Sequence, residues 1–193
     1  MENLTKTQKL VRTAMLAAIT LLLVVTPLGY IPINPLITVT IVVTPVVLGG
    51  LLYGWPAGLV LSLVFGLSSF FRAPGEALGQ IMLAQSGLYT FLTCVVPRVL
   101  VGLFGGAMHS VLKKRKVRKL WFYALTGLGG SMLNTLLFLG FIWFMFDPQK
   151  TGVTGAVIVS VASFNGLIEA VVNAVLVAVL AQVLLRIPGA KKN

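Results

Sequence analysis

Apolar residues run through this chain in long blocks, broken by short segments that are basic or rich in glycine and proline. A helix needs about 20 mostly apolar residues to cross a bilayer, and six blocks qualify as candidates, roughly 9–29, 37–53, 56–71, 88–112, 119–146 and 154–186. The pattern predicts a single all-α integral membrane domain of six transmembrane helices over residues 1–193. The second and third blocks are short, and the link "YGWPAG" (Tyr53 to Gly58) is a tight Gly/Pro turn with Trp and Tyr at the interface, so they read as one helical hairpin. The last two blocks exceed a perpendicular crossing, which implies tilt or extension beyond the hydrocarbon. "TKTQ" at Thr5 to Gln8 fits a capping box opening the first helix.

Composition agrees. Hydrophobic residues make up 58% of the 193 and charged ones 10%, which is foreign to a soluble domain. The N-terminal "MENLTKTQKLVRT" lacks the compact apolar core and cleavage site of a signal peptide. The single cysteine, Cys94, excludes an intrachain disulfide framework and every multi-cysteine metal site. No metal or cofactor is expected.

The net charge of +11 is placed by topology. Lys6, Lys9 and Arg12 precede the first block, "KKRKVRK" (Lys113 to Lys119) joins the fourth and fifth, and Arg186, Lys191 and Lys192 follow the sixth. Six crossings put all three groups on one side, which the positive-inside rule makes cytoplasmic, together with both termini. Basic residues at span ends read as contacts to anionic lipid and leave nucleic acid without support as a partner. The opposite loops carry few charges. "GYIPINP" and "RAPGEALGQIMLAQSG" are rich in proline and glycine, and both read as shaped, non-helical segments over the outer end, the longer one as a lid or binding loop.

Charges inside spans are costly, and two stand out: Arg98 in the fourth and Glu169 in the sixth. Asn165, Glu169 and Asn173 recur every four residues and so share a helix face, which must point into the bundle because lipid offers no partners. Ser131 and Asn134 in the fifth span and Thr93 in the fourth add to a polar region among spans four to six. Pro97 frees a carbonyl one turn earlier, near Thr93 and Cys94, as backbone lining a cavity can tolerate. Two readings stay open: a buried Arg98–Glu169 pair that glues helices together, or an arginine and amides that receive a small polar ligand, above all a carboxylate. Arg72 at the outer mouth adds positive charge, and Phe70, Tyr89 or Phe138 offers a stacking surface for a ring.

Catalytic patterns are weak. "FGLSSF" offers Ser68, but the only histidine, His109, falls at the other end of its span beside the basic loop, out of reach for a nucleophile and base. No phosphate-cradling Gly-x-x-x-x-Gly-Lys-Ser/Thr occurs, so any ATP-driven work belongs to a partner. Small residues form faces at Ala14, Ala17 and Ala18 in "TAMLAAIT", and in "VLGGLLYGWPAG" and "LVGLFGGAMH", suited to close helix approach either within the chain or with a partner.

Taken in order, "AMLAA", "PVVLGGLLYGWPAGLVLSLVFGLSSF", "VVPRVLVGLFGG" and "NGLIEAVVNAVL" resemble the substrate-binding S components of energy-coupling factor (ECF) vitamin transporters, nearest the group with pantothenate, riboflavin and hydroxymethylpyrimidine or pyridoxine carriers. The resemblance implies a non-enzymatic subunit of a bacterial plasma membrane transporter that binds its vitamin from outside. It implies partners too, a membrane coupling protein with two cytoplasmic ATPases, docked on the first span at Ala14, Ala17 and Ala18. ATP hydrolysis there would topple the subunit and release the vitamin inward. Arg98 and Arg72 favour an anionic vitamin. Pantothenate, with a carboxylate, hydroxyls and an amide that Asn134 and Asn165 can read, is the expected ligand, and a hydroxylated pyrimidine or pyridine the alternative.

Overall fold

The computed structural model describes residues 5–34, 37–115, 120–151 and 166–186. Helix α1 (Lys6–Val25) is followed by a 3-10 turn (Pro27–Gly29), an antiparallel hairpin of β1 (Tyr30–Asn34) and β2 (Ile37–Thr40), and then α2 (Val43–Tyr53) and α3 (Trp55–Arg72). A second 3-10 turn (Ala73–Gly75) leads to α4 (Ala77–Gln85), α5 (Gly87–Arg115), α6 (Leu120–Met145), the one-turn α7 (Pro148–Thr151) and α8 (Gly166–Arg186). Five of these, α1, α3, α5, α6 and α8, are long and apolar enough to cross a membrane, and α2 is a shorter apolar helix.

The largest departure from the sequence pattern is the second block, expected to be helical over 37–53. Its first part is strand, with Tyr30 opposite Thr40 and Pro32 opposite Thr38. The stretch "ITVTIVV" is wholly β-branched, which stiffens χ1 and favours extended backbone. Helix begins only at Val43, where Pro45 falls in the first turn and removes no helical hydrogen bond. Eleven residues rise about 16 Å, half the hydrocarbon thickness. Every residue of α2 is buried, so this short helix is enclosed by protein on all sides.

The second outer loop also departs from expectation. It contains a helix, α4, whose Met82 packs with Ile142 and Phe146 at the end of α6. Apolar residues in "ALGQIMLAQ" gain that contact, and Gly79 lets the helix turn back closely on Ala73.

Packing follows the small residues. A Cβ on Gly58 of α3 or on Gly102 of α5 would run into the other's carbonyl, so these backbones touch, and Gly50 of α2 meets Gly105 of α5 at 3.0 Å from the position a Cβ would take. Such contact replaces the hydrophobic drive that helices lack in lipid. At the α2–α3 turn Gly54 has φ +92°, open only to glycine at low cost. Trp55 at this turn is exposed, whereas Tyr53, expected at the interface beside it, is buried in the core. The predicted capping box is present: Thr5 Oγ1 accepts from Gln8 N at 3.2 Å and Gln8 Oε1 from Thr5 N at 3.0 Å.

Contacts between helix ends give the bundle its polarity. Arg72 at the end of α3 donates to the Val24 carbonyl at the end of α1 (2.8 Å), and Gln85 of α4 accepts from Asp147 N just past α6 (3.2 Å). These ends gather around the hairpin with the starts of α5 and α8. At the opposite end His109 Nδ1 donates to the Leu51 carbonyl at 2.8 Å beside the α2–α3 turn, near the basic last turn of α5 with Lys113, Lys114 and Arg115.

Candidate ligand-binding site

A cavity of about 340 Å³ opens among the hairpin, α3, α4, α5, α6 and α8. From α5 come Thr90, Cys94 and Arg98, spaced by four so that they share one face. Phe65, Ser69 and Arg72 line it from α3, Asn134, Thr135 and Phe138 from α6, and Glu169 from α8. Tyr30 and Thr40 come from the hairpin, and Leu78, Gly79 and Met82 of α4 cover it. Mostly apolar walls with a few convergent polar groups are the usual make-up of a small-molecule site.

Arg98 owes its position to its neighbour. Pro97 has no N–H, so the Thr93 carbonyl four residues earlier lacks its helical donor, and the Arg98 guanidinium donates to it at 3.0 Å. The guanidinium carbon lies 4.5 Å from the centre of the Phe138 ring and 5.3 Å from that of Phe65, so the cation meets two π-systems. Arg98 is 8% exposed, and no ion pair with Glu169 exists among the described residues. The buried Arg98–Glu169 bridge considered from the sequence is therefore not formed. Among the described residues Arg98 Nε and Asn134 Oδ1 are buried without a hydrogen-bond partner, one donor and one acceptor in the cavity wall.

Glu169 sits across the cavity, its Oε1 accepting from Ser131 Oγ at 3.2 Å, with Thr40 touching it through both backbone and hydroxyl. Arg72, expected at the mouth, lines the cavity and also has partners within the protein. Its Nε pairs with Glu76 at 2.8 Å, its NH1 donates to Val24, and its guanidinium lies 4.1 Å from the centre of the Tyr30 ring. Arg72 thus ties the cavity mouth to α1 and the hairpin.

The structure brings together Arg98, Asn134, Glu169 and Arg72, with Phe138 as the aromatic face. It does not bring the other expected aromatics to the cavity: Phe70 packs edge-on against Phe71 and Phe91, and Tyr89 is exposed beside Phe146. Both lie on α3 and α5 faces turned away from the polar stripe. Asn173 is fully buried one turn below the cavity, held by Thr44, Thr40 and Ser131. Asn165 lies outside the described residues. Residues the sequence did not single out, Tyr30, Thr40, Glu76, Leu78 and Met82, reach the cavity from the hairpin, the second turn and α4. Thr90 was legible, since it stands two turns before Arg98. Ser68 donates to Val64 within its own helix, and His109 is engaged at the far end, so no nucleophile and base meet. On α1, Ala14 and Ala18 face outward while Ala17 is half-buried against the core.

Fold and cavity define a multi-pass helical membrane protein built to hold a small polar molecule. The profile of the family described as "ECF transporter, substrate-specific component" matches residues 8–181. The chain belongs to that family and is a vitamin-binding subunit of an ECF transporter, not an enzyme. A relative, the pantothenate transporter PanT of Leuconostoc mesenteroides subsp. mesenteroides, is 30% identical over 198 aligned positions covering 94% of each chain.

Proposed function

We propose that the chain captures pantothenate from outside the cell for ATP-driven uptake. The carrying observation is the Arg98 guanidinium, buried in the cavity wall with a free Nε and no carboxylate partner among the described residues. A ligand carboxylate fits that demand, and Asn134 Oδ1 can accept from a ligand O–H or amide N–H. The relative named for pantothenate transport adds support at modest identity. The arrangement of the bundle accords with six crossings, α2 counting as a half-length one completed by the hairpin. The basic ends of α1, α5 and α8 then lie in the cytoplasm, with both termini, in a bacterial plasma membrane. Outward-facing Ala14 and Ala18 offer a smooth face to a coupling protein that carries two ATPases.

The test is calorimetric titration of detergent-purified protein with a vitamin panel. Tight binding of pantothenate, with hydroxymethylpyrimidine and pyridoxine at least a hundredfold weaker, is expected. Tighter binding of either neutral ring would overturn the carboxylate reading and favour stacking on Phe138.

A further inference from the structure

We propose that Glu169 is held as a fixed hydrogen-bond acceptor that selects ligands carrying an O–H or N–H donor, with Asn173 and Ser131 as its positioning residues. The inference rests on the cavity being the ligand site.

The argument starts one turn below the cavity. Asn173 Nδ2 lies 3.0 Å from the Thr40 carbonyl and 2.9 Å from the Glu169 carbonyl. Carbonyls only accept, so the amide nitrogen must face them and Oδ1 must face Thr44, whose hydroxyl donates to it at 2.5 Å. The same Nδ2 is 3.2 Å from Ser131 Oγ, its two N–H groups being shared among three acceptors. Ser131 therefore receives a hydrogen from Asn173. Its own single hydrogen is left for Glu169 Oε1, 3.2 Å away. Donation runs one way, from Thr44 and Asn173 through Ser131 to Glu169.

A carboxylate offers about four acceptor positions. Ser131 and the two groups of Thr40 occupy part of that capacity from the protein side, and Glu169 presents the remainder to the cavity. No cation pairs with it among the described residues. To the ionised carboxylate a ligand group must bring a hydrogen; a carbonyl or ether oxygen would meet another acceptor and lose its water without replacement. With a carboxylate drawn to Arg98, the ligand class is an acid whose other end bears hydroxyl or amide donors.

The experiment is a cycle between ligand and protein. Affinities of wild type and Glu169→Gln are measured for pantothenate, for its two monodeoxy analogues and for its N-methylated amide. Wild type should lose about tenfold or more for at least one analogue, and Glu169→Gln should shrink that ratio to within about twofold of unity. Arg98→Gln should weaken the parent and that analogue by the same factor, leaving the ratio intact. Ser131→Ala, which keeps the carboxylate but removes its donor, should reduce the ratio severalfold, and it serves as the reading if Glu169→Gln does not fold. If the ratios are the same in wild type, Glu169→Gln and Ser131→Ala, the proposal fails. If pantothenate does not bind, the pantothenate reading fails by itself, and the same cycle is run with whichever hydroxymethyl-bearing vitamin binds and its deoxy form, where an unchanged ratio sinks the role of Glu169.

Discussion

Replacing Arg98 with methionine separates a ligand receptor from a structural strut. Methionine keeps most of the length and the packing against Phe138 and Phe65 while removing charge and hydrogen bond. In the protein without vitamin two effects oppose. The Thr93 carbonyl loses its donor, worth about 1–3 kcal/mol. Against that, a buried cation whose Nε has no partner among the described residues is removed, and incompletely compensated burial costs several kcal/mol. The expected net change in stability is within about 2 kcal/mol of zero, and stabilisation is as acceptable as loss. Affinity for pantothenate should fall by about 2–5 kcal/mol, roughly 30- to 5,000-fold, the scale for truncating one side of a buried charged contact. Thermal unfolding in detergent gives the first quantity and calorimetry the second. A variant that melts far below wild type yet binds pantothenate with unchanged affinity would show that Arg98 holds helices together and does not meet the ligand.

Gly102→Val should destabilise the protein by at least about 1–3 kcal/mol, because the new side chain enters the Gly58 carbonyl and Ser62, both too closely packed to yield; thermal unfolding in detergent checks this. Arg72→Ala removes the tie between α3, Val24 and Tyr30, so stopped-flow dissociation of the vitamin should quicken severalfold, and an unchanged off-rate would reject Arg72 as part of the closure. Tryptophan at both Ala14 and Ala18 should abolish uptake in cells while vitamin affinity stays at the wild-type value; loss of affinity would indicate internal packing at that face.

The sequence displays the parts of this fold that repeat and hides those that bend. Long apolar blocks announce α1, α3, α5, α6 and α8, because lipid forces each backbone to satisfy itself as a helix. Arg98 and Glu169 are conspicuous for the same reason, as charges among apolar neighbours. The failure at 37–53 has a physical source: in an apolar run, periodicity cannot separate a buried strand from a buried helix, and the β-branched residues of "ITVTIVV" were the available discriminator. Ring chemistry alone points to Tyr89 and Phe70, but counting in fours from Arg98 selects Thr90 and Cys94 and passes over Tyr89. The contributions of Tyr30, Glu76, Leu78 and Met82 depend on how two connections fold back over the bundle. That is set by tertiary contacts such as Arg72 with Val24 and Met82 with Ile142.

The way the two charges are held explains how one cavity can keep both without their cancelling. Arg98 is drawn to a backbone carbonyl by the proline beside it, and Glu169 is drawn to Ser131 and Thr40 by a chain of donors that begins at Thr44. Each anchor is local to its own wall: α5 supplies both Pro97 and Thr93, while α2, α6, α8 and the hairpin supply the other. An ion pair that drew the guanidinium away from α5 would cost the Thr93 contact, about 1–3 kcal/mol. A molecule with an acid at one end and donors at the other is matched to both walls at once. The hairpin reaches both, contributing Thr40 to the Glu169 wall and Tyr30 to the Arg72 mouth.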